Sequence, residues 1–342
     1  MRFADCFSGK NILITGHTGI KGTWLTCWLR ELGANITGFS DREYYLFSQV
    51  GLKDKIVNYT GDIRSIEELR NCFDVSRPEI VIHLAAQSIV SNGYQDPHKT
   101  METNIMGTVN LLECCREFQP RSLLVVTSDK VYLPAQVAKN ERDRLGGYCP
   151  YSSSKSAVEM VVLGYKNLLL KTTVATARAG NILAAGDRGR DRLLVDIIQA
   201  WQENQTIQLR SPQAIRPWQH VLDCLSGYLL LIEKLSIGEG EGAWNFAPTE
   251  SFSVQELVNI VQSFSWLNIS FASAENHISE TQILRIDSTK SKQALGWKPH
   301  YSFRDALEAV LMDELQLRKL KNPDEKHQIM ISRIAQFSRI DK

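Results

Sequence analysis

Tyr151 and Lys155 stand four residues apart in a segment of helical pattern, so a phenol and an ammonium share one helix face. Thr127-Ser128-Asp129-Lys130 ends an apolar, β-branched run and sets a hydroxyl, a carboxylate and an amine in a row. A third segment, Gly16-His17-Thr18-Gly19-Ile20-Lys21-Gly22, follows a short apolar run and opens a helical pattern. A free tyrosine, with its reference pKa of about 10, is a poor base at neutral pH. A neighbouring ammonium and a cationic nicotinamide both favour the phenolate and lower that value. Together the three segments read as a nicotinamide site surrounded by proton-transfer groups.

Each glycine of the third segment has its own use. Gly16 permits a tight turn after a strand, Gly19 lets the backbone approach a pyrophosphate, and Gly22 lets the helix pack close to a sheet. The helix that starts there presents free N–H groups to an anion. The spacing is G-x-x-G-x-x-G, not the commoner G-x-G-x-x-G, and a plain strand-to-helix turn is the competing reading. Its place after the first strand of a βαβ pattern favours the dinucleotide. An acid for the adenosine ribose belongs about 20 residues further on, and Asp41 stands just past the second strand. Arg42 beside it suits a 2′-phosphate instead, and solvated loop charges are a third option for the two. Asp62, after the third strand, fits either the adenine amino group or the cap of the next helix.

Lys155 is placed to reach the nicotinamide ribose, and Ser128 to hydrogen-bond the same substrate oxygen as Tyr151. Asp129 and Lys130 exceed what a simple dehydrogenase or epimerase needs. An extra acid and base at a strand tip point to an extra proton transfer, such as elimination of water; a surface salt bridge is the alternative. Arg192 and Arg216, with Asn181, lie in loops over the same cleft. Their forked donors suit a nucleoside diphosphate, against the plainer reading of ordinary loop arginines. Trp218 stacks on a ligand or simply packs, and His83 ends the fourth strand as a packed residue. The seven histidines lack metal-ligand spacing, so no metal is expected, and no Ser-His-Asp or Cys-His pattern emerges.

These groups need a scaffold, and the hydrophobic pattern supplies it. Short β-branched runs alternate with longer amphipathic stretches from residue 11 to about 180. Strands are expected at 11–15, 35–39, 56–59, 80–84, 122–127 and 172–178, with helices over 22–32, 97–118 and 151–170. Such alternation argues for a parallel sheet covered on both faces, with ligands beyond the carboxyl ends of its strands. All three chemical segments sit at such ends. After Arg178 the pattern loosens into loops rich in arginine and aromatics, which fits a smaller region closing a cleft. A helix over 221–235 and a strand over 243–246 return to the sheet, so the boundary is discontinuous.

The bulk composition excludes several classes. The 342 residues, 43% hydrophobic and 23% charged, are ordinary for a globular protein of one large or two modest domains. A net charge of +1 gives no reason to expect nucleic acid. No apolar run approaches the roughly 18 residues of a spanning helix, and an early acid in the first residues is unlike a secretory signal. Seven irregularly spaced cysteines look like reduced thiols of a cytoplasmic protein, with Cys114 and Cys115 as packing residues.

With these segments in view, the chain resembles the extended short-chain dehydrogenase/reductase superfamily, and within it the CDP-glucose 4,6-dehydratase group. The resemblance is carried by ITGHTGIKGTWL (14–25), GDIR (61–64), PEIVIHLAAQ (78–87), NIMGTVNLLE (104–113), VTSDKVY (126–132), GGYCPYSSSK (146–155), ARAGNIL (177–183), DRLLVDII (191–198), AIRPWQHVLDCLSGYLLL (214–231) and ALGWKP (294–299). AIRPWQHVL and the lysine of TSDK are the most specific, since dTDP-glucose dehydratases typically carry glutamate where Lys130 stands.

The resemblance implies an α/β fold, a Rossmann-type doubly wound parallel sheet with a smaller, discontinuous α/β substrate-binding region. The NAD-binding part is expected over 1–180 and about 221–247, and the nucleotide-sugar part over 181–220 and 248–342. NAD would be held by Gly16, Thr18, Gly19, Ile20, Gly22, Asp41, Asp62, Ile63, Leu84, Ala85, Ala86, Tyr151 and Lys155. Substrate would meet Gln87, Asn181, Arg192, Arg216 and His220. In the implied reaction Tyr151 takes the proton of the sugar 4-hydroxyl, Lys130 takes the C5 proton, and Asp129 protonates the departing 6-hydroxyl. The product is a 4-keto-6-deoxy sugar nucleotide. A 4-epimerase, or a dehydratase of another nucleotide hexose, is the alternative. The resemblance further implies a cytoplasmic homodimer built on the helical patterns near 97–118 and 151–170, with no nucleic acid or membrane partner.

Three segments depart from the group. Pro-Leu-Val-Arg and a polar pair are replaced by 88–94, the proline-rich loop after the second strand is replaced by Asp41-Arg42-Glu43-Tyr44-Tyr45, and Gly-Asp-Trp becomes Gly186-Asp187-Arg188.

Overall fold

Asn11–Thr15 forms β1, whose side chains alternate between two cores. Ile12 and Ile14 enter one and Leu13 the other, as a period of two requires of a strand buried on both faces. β2 is Asn35–Ser40, β3 Val57–Thr60, β4 Ile80–His83, β5 Ser122–Val126 and β6 Thr173–Ala179. The computed structural model describes residues 3–189, 191–209, 211–264, 267, 269–273 and 282–340. Its seven-stranded sheet runs β3-β2-β1-β4-β5-β6 and ends on the strand Gly242–Phe246, every pair parallel. This is the doubly wound sheet expected from the sequence, with each strand within about two residues of its forecast. Chain direction along the sheet reverses between β1 and β4, which makes that crevice the place for a ligand.

The helix Ile20–Glu31 begins directly after Gly19. The stretch forecast as one helix over 97–118 has three parts: Pro97–Met101, a π-helical turn Glu102–Met106, and Gly107–Phe118. The wide turn contains buried Asn104, and Gly107 follows because a Cβ there would lie 2.7 Å from Ile63. The helix Pro150–Tyr165 has proline in its first turn and Cys149 as its cap, and a 3₁₀ turn Lys166–Leu168 replaces its forecast end. Val221–Ser236 is a nearly all-buried helix packed on β5 and β6.

Short strand pairs build the region over the crevice. Ile182–Leu183 pairs with Gln219–His220, Ile215–Arg216 with Phe252–Ser253, and Thr206–Leu209 with Ser270–Ser273. Helices Leu193–Glu203, Val254–Gln262 and Phe303–Lys319 complete it. The helix Pro323–Ile340 turns back onto Ile20–Glu31, where Trp28 meets Phe337 edge to face with ring centres 5.5 Å apart.

Candidate active site

β1 delivers the chain into Gly16 at φ +74°, where a side chain would be strained and its Cβ would sit 2.6 Å from the Ala85 nitrogen after β4. Gly22 is fixed by packing too, since its Cβ would lie 2.2 Å from the Gly16 carbonyl. Gly19 differs. A Cβ there would meet only the Gly16 carbonyl, at 3.4 Å, so the protein's own packing leaves that side open. Gly19 also provides no side-chain cap to the twelve-residue helix it precedes. An open glycine at an uncapped helix N-terminus is a fitting cradle for a pyrophosphate. Ile20 is the first residue of that helix, and Leu84, Ala85 and Ala86 form the turn after β4, with Leu84 N–H donating to Thr15 O at 2.9 Å. The Thr18 hydroxyl has a local use, donating to the Arg42 carbonyl at 2.8 Å and tying the glycine turn to the loop after β2.

Asp41 and Arg42 are paired, the guanidinium meeting the carboxylate at Oδ2, 2.8 and 2.9 Å away. Asp62 is not a helix cap: Ser65 caps Ile66–Ser76, and the Asp62 carboxylate is clasped by Arg64 at 2.6 Å. That clasp holds Asp62 below the usual carboxylate range, first through the Arg64 hydrogen bonds. Ile63 is buried against Gly107, with its carbonyl accepting from Asn110 at 3.1 Å.

Tyr151 and Lys155 project from one face of Pro150–Tyr165 and are both buried. The Lys155 ammonium donates to the Val126 carbonyl at the end of β5, 3.1 Å away. Burial pushes the Tyr151 phenol up to about 12, against the pull of its hydrogen bond with Ser128 and of Arg192. Lys155 itself is lowered to about 8, by burial first and then by Lys21 from the glycine segment. Lys21 is a charge at the site that spacing alone did not flag.

After β5 the chain makes a 3₁₀ turn, Asp129–Val131, capped by Ser128. Ser128 Oγ donates to Asp129 Oδ1 at 3.0 Å and accepts from the Lys130 N–H at 3.2 Å. Asp129 is 3% exposed, and its Oδ2 has no hydrogen-bond partner. Lys130 Nζ stands 3.7 Å from Oδ1. A surface salt bridge is thereby ruled out as the account of Asp129. A buried, half-satisfied carboxylate costs about 1–3 kcal/mol or more and marks where a partner from outside the chain belongs.

The substrate-side residues divide. Asn181 holds the Gln219 N–H with its carbonyl, while its buried side-chain Oδ1 is also without a partner. Arg192, beside Tyr151, is bound by Asp187 and reaches Ser88 at 3.5 Å. Arg216 is buried, with its guanidinium on the carbonyls of Ile215 at 2.9 Å and Gln282 at 3.3 Å. Gln87 and His220 have structural work. The Gln87 amide donates to Thr100 and accepts from Ile89, while its backbone is held on both sides by Asn104. His220 is 1% exposed and caps Val221–Ser236 by accepting from Leu222 N–H at 3.2 Å; burial lowers it to about 3. Trp218 packs, its indole N–H on the Phe252 carbonyl. His83 packs between Thr15 and Thr108, as expected. No group of acids, cysteines and histidines that could hold a metal occurs among the described residues.

Two of the departing segments meet. Arg188 lies over the Tyr45 ring at 4.4 Å and donates to Glu314 at 2.6 Å. Beneath the site lies a network that sequence reasoning missed. Glu159 and Arg178 form an ion pair at 2.8 Å, each side chain 4% exposed. Replacing such a pair with apolar residues is often neutral or stabilising by about 1–4 kcal/mol, so stability alone does not account for it.

The pattern of the family described as GDP-mannose 4,6 dehydratase matches residues 13–310. The chain is similar to a CDP-glucose 4,6-dehydratase of Salmonella typhimurium, 37% identical over 331 residues, covering 89% of this chain and 90% of the relative. Its fold matches a UDP-glucose 4-epimerase of Thermotoga maritima, solved with UDP-glucose, at TM-score 0.83 and 20% identity over 90% of this chain and 99% of that one. A Thermus thermophilus UDP-glucose 4-epimerase, solved with NAD, matches at TM-score 0.79 and 21% identity over 90% and 98%.

Proposed function

The chain belongs to the GDP-mannose 4,6-dehydratase family, and from that premise we propose that it is an NAD-dependent nucleotide-sugar 4,6-dehydratase, converting CDP-glucose to CDP-4-keto-6-deoxyglucose. The observation that carries the reading is the buried Asp129 carboxylate, with one oxygen free and the half-buried Lys130 ammonium beside it, next to Tyr151 and Ser128. An oxidation at C4 alone has no use for it.

The residues fit NAD. The Gly16–Gly22 turn takes the pyrophosphate, Asp41 the adenosine ribose, Asp62 and Ile63 the adenine, and Lys155 the nicotinamide ribose. Asp41 supports NAD over NADP. When bound, NAD supplies a reversible hydride acceptor for the sugar.

The chain's own groups move the protons. Tyr151 Oη takes the proton of the 4-hydroxyl, while Ser128 Oγ holds that oxygen in place. A ketone at C4 acidifies C5, and Lys130 Nζ takes the C5 proton. Asp129 Oδ2 gives a proton to the 6-hydroxyl, which departs as water. Lys130 Nζ and Asp129 Oδ1 stand 3.7 Å apart, so the base and the acid of this step lie side by side. The step requires lysine as the neutral amine and aspartate as the carboxylic acid, and it leaves the pair as an ammonium and a carboxylate. Asn181 Oδ1 and the Arg192 and Arg216 guanidiniums serve the sugar and diphosphate.

A turnover screen of CDP-, dTDP-, GDP- and UDP-hexoses tests the reading. CDP-glucose should give a product with alkaline enolate absorbance and the mass of one lost water. Epimerised sugar of unchanged mass would establish an epimerase instead, and preference for another base would reassign the nucleotide.

The protein works as a homodimer in this proposal. Met160 and Leu163 on Pro150–Tyr165, and Met106 at the start of Gly107–Phe118, are exposed apolar side chains on the family's pairing helices. Sedimentation at micromolar concentration should give twice the chain mass; a monomer refutes the assembly. No helix of the described residues is long and apolar enough to cross a membrane, and the seven free cysteines support a cytoplasmic setting.

A further inference from the structure

Glu159 lies one helical turn beyond Lys155 and two beyond Tyr151, on the same face of Pro150–Tyr165. Its carboxylate accepts from three directions. Thr127 Oγ1 donates to Oε1 at 2.5 Å, Thr176 Oγ1 to Oε2 at 2.7 Å, and Arg178 to both oxygens at 2.9 and 2.8 Å. Arg178 also donates to the Tyr132 hydroxyl at 2.7 Å, which in turn donates to Asn245 Oδ1 at 2.7 Å. Thr127 and Tyr132 are the residues that flank Ser128–Val131. A third tie runs from the same helix, Ser156 Oγ to the Val131 carbonyl at 2.9 Å.

The turn carrying Ser128, Asp129 and Lys130 is thus gripped at both ends by one buried ion pair. Half of that pair stands on the helix that carries Tyr151 and Lys155. We propose that Glu159 and Arg178 are positioning residues that set the elimination groups, Asp129 and Lys130, in register with the oxidation groups, Tyr151 and Lys155. The pair touches no reacting atom. It acts through Thr127 and Tyr132, and the inference rests on the dehydratase reading only for the name of the second step.

Glu159→Gln would strand the Arg178 charge and risk the fold, so the decisive variants are Thr127→Val and Tyr132→Phe. Each removes a link from the pair to the turn and leaves the ion pair whole. Two rates are measured: solvent deuterium entry at C5 of CDP-glucose, and C4 oxidation of CDP-6-deoxyglucose, which has no 6-hydroxyl to lose. Their ratio is independent of the fraction of folded enzyme. In each variant C5 exchange should fall about 10- to 100-fold more than C4 oxidation, the scale of a small misplacement of catalytic groups. KM should stay within about twofold, because loss confined to catalytic geometry leaves binding intact. An unchanged ratio in both variants overturns the inference. Amide hydrogen exchange over 128–131, read without sugar, should speed up in both variants. If the wild-type protein removes no water from CDP-glucose, the dehydratase reading fails by itself. The amide exchange then decides the positioning, with unchanged protection overturning it.

Discussion

Tyr151→Phe is expected to leave CDP-glucose untouched, with turnover reduced by about 10²–10⁴-fold, the usual loss of a positioned acid or base. The ring remains and only the proton-accepting oxygen is removed, so the fold and the buried Lys155–Val126 tie should persist. C5 exchange and loss of water should fall together by the same factor, since neither proceeds before C4 is oxidised. Burial pushes the wild-type phenol up to about 12, so phenolate is scarce at neutral pH. Below that value its fraction rises about tenfold per pH unit. Wild-type C4 oxidation should therefore quicken as pH rises through neutrality, and the residual rate of Tyr151→Phe should not. A variant with near-normal turnover would remove Tyr151 from the chemistry.

Lys130→Ala should fail in a different way. Tyr151, Ser128 and Lys155 are untouched, so C4 oxidation of CDP-6-deoxyglucose should continue at a rate near that of the wild type. C5 exchange on CDP-glucose should drop by about 10²–10⁴-fold. Mass spectrometry should find enzyme-bound 4-keto hexose that retains its 6-hydroxyl. If Lys130→Ala loses water normally, Lys130 is only a charge at a strand end and takes no part in the elimination.

The fold and the candidate site were legible wherever the signal is local. β1, the glycine turn and the Tyr151/Lys155 spacing each lie within a few residues, and periodicity reads them directly. Residues whose partners are distant in sequence were not. Gln87 carries no mark that its amide will be taken by Thr100, or its backbone by Asn104. Glu159 reads as one more helix acid until β6 brings Arg178 to it. His220 differs: histidine is an uncommon helix cap, so its capping of Val221–Ser236 was not legible from residue type. The π turn at Glu102–Met106 escaped because one widened turn scarcely alters an apolar period.

The contact between Arg188 and Tyr45 bears on how this sequence can diverge. The loop at 41–45 and the loop at 186–188 look like separate departures, yet they share one guanidinium. Buried Glu314 fixes that guanidinium and also holds the Gly186 N–H and Arg318. Grafting either loop from a relative would strand the other: tryptophan at 188 leaves Glu314 short of a charge partner, and a proline-rich loop leaves Arg188 without its ring. The two loops form one structural unit, and a chimera that exchanges both together, with residue 314, is the one that should fold.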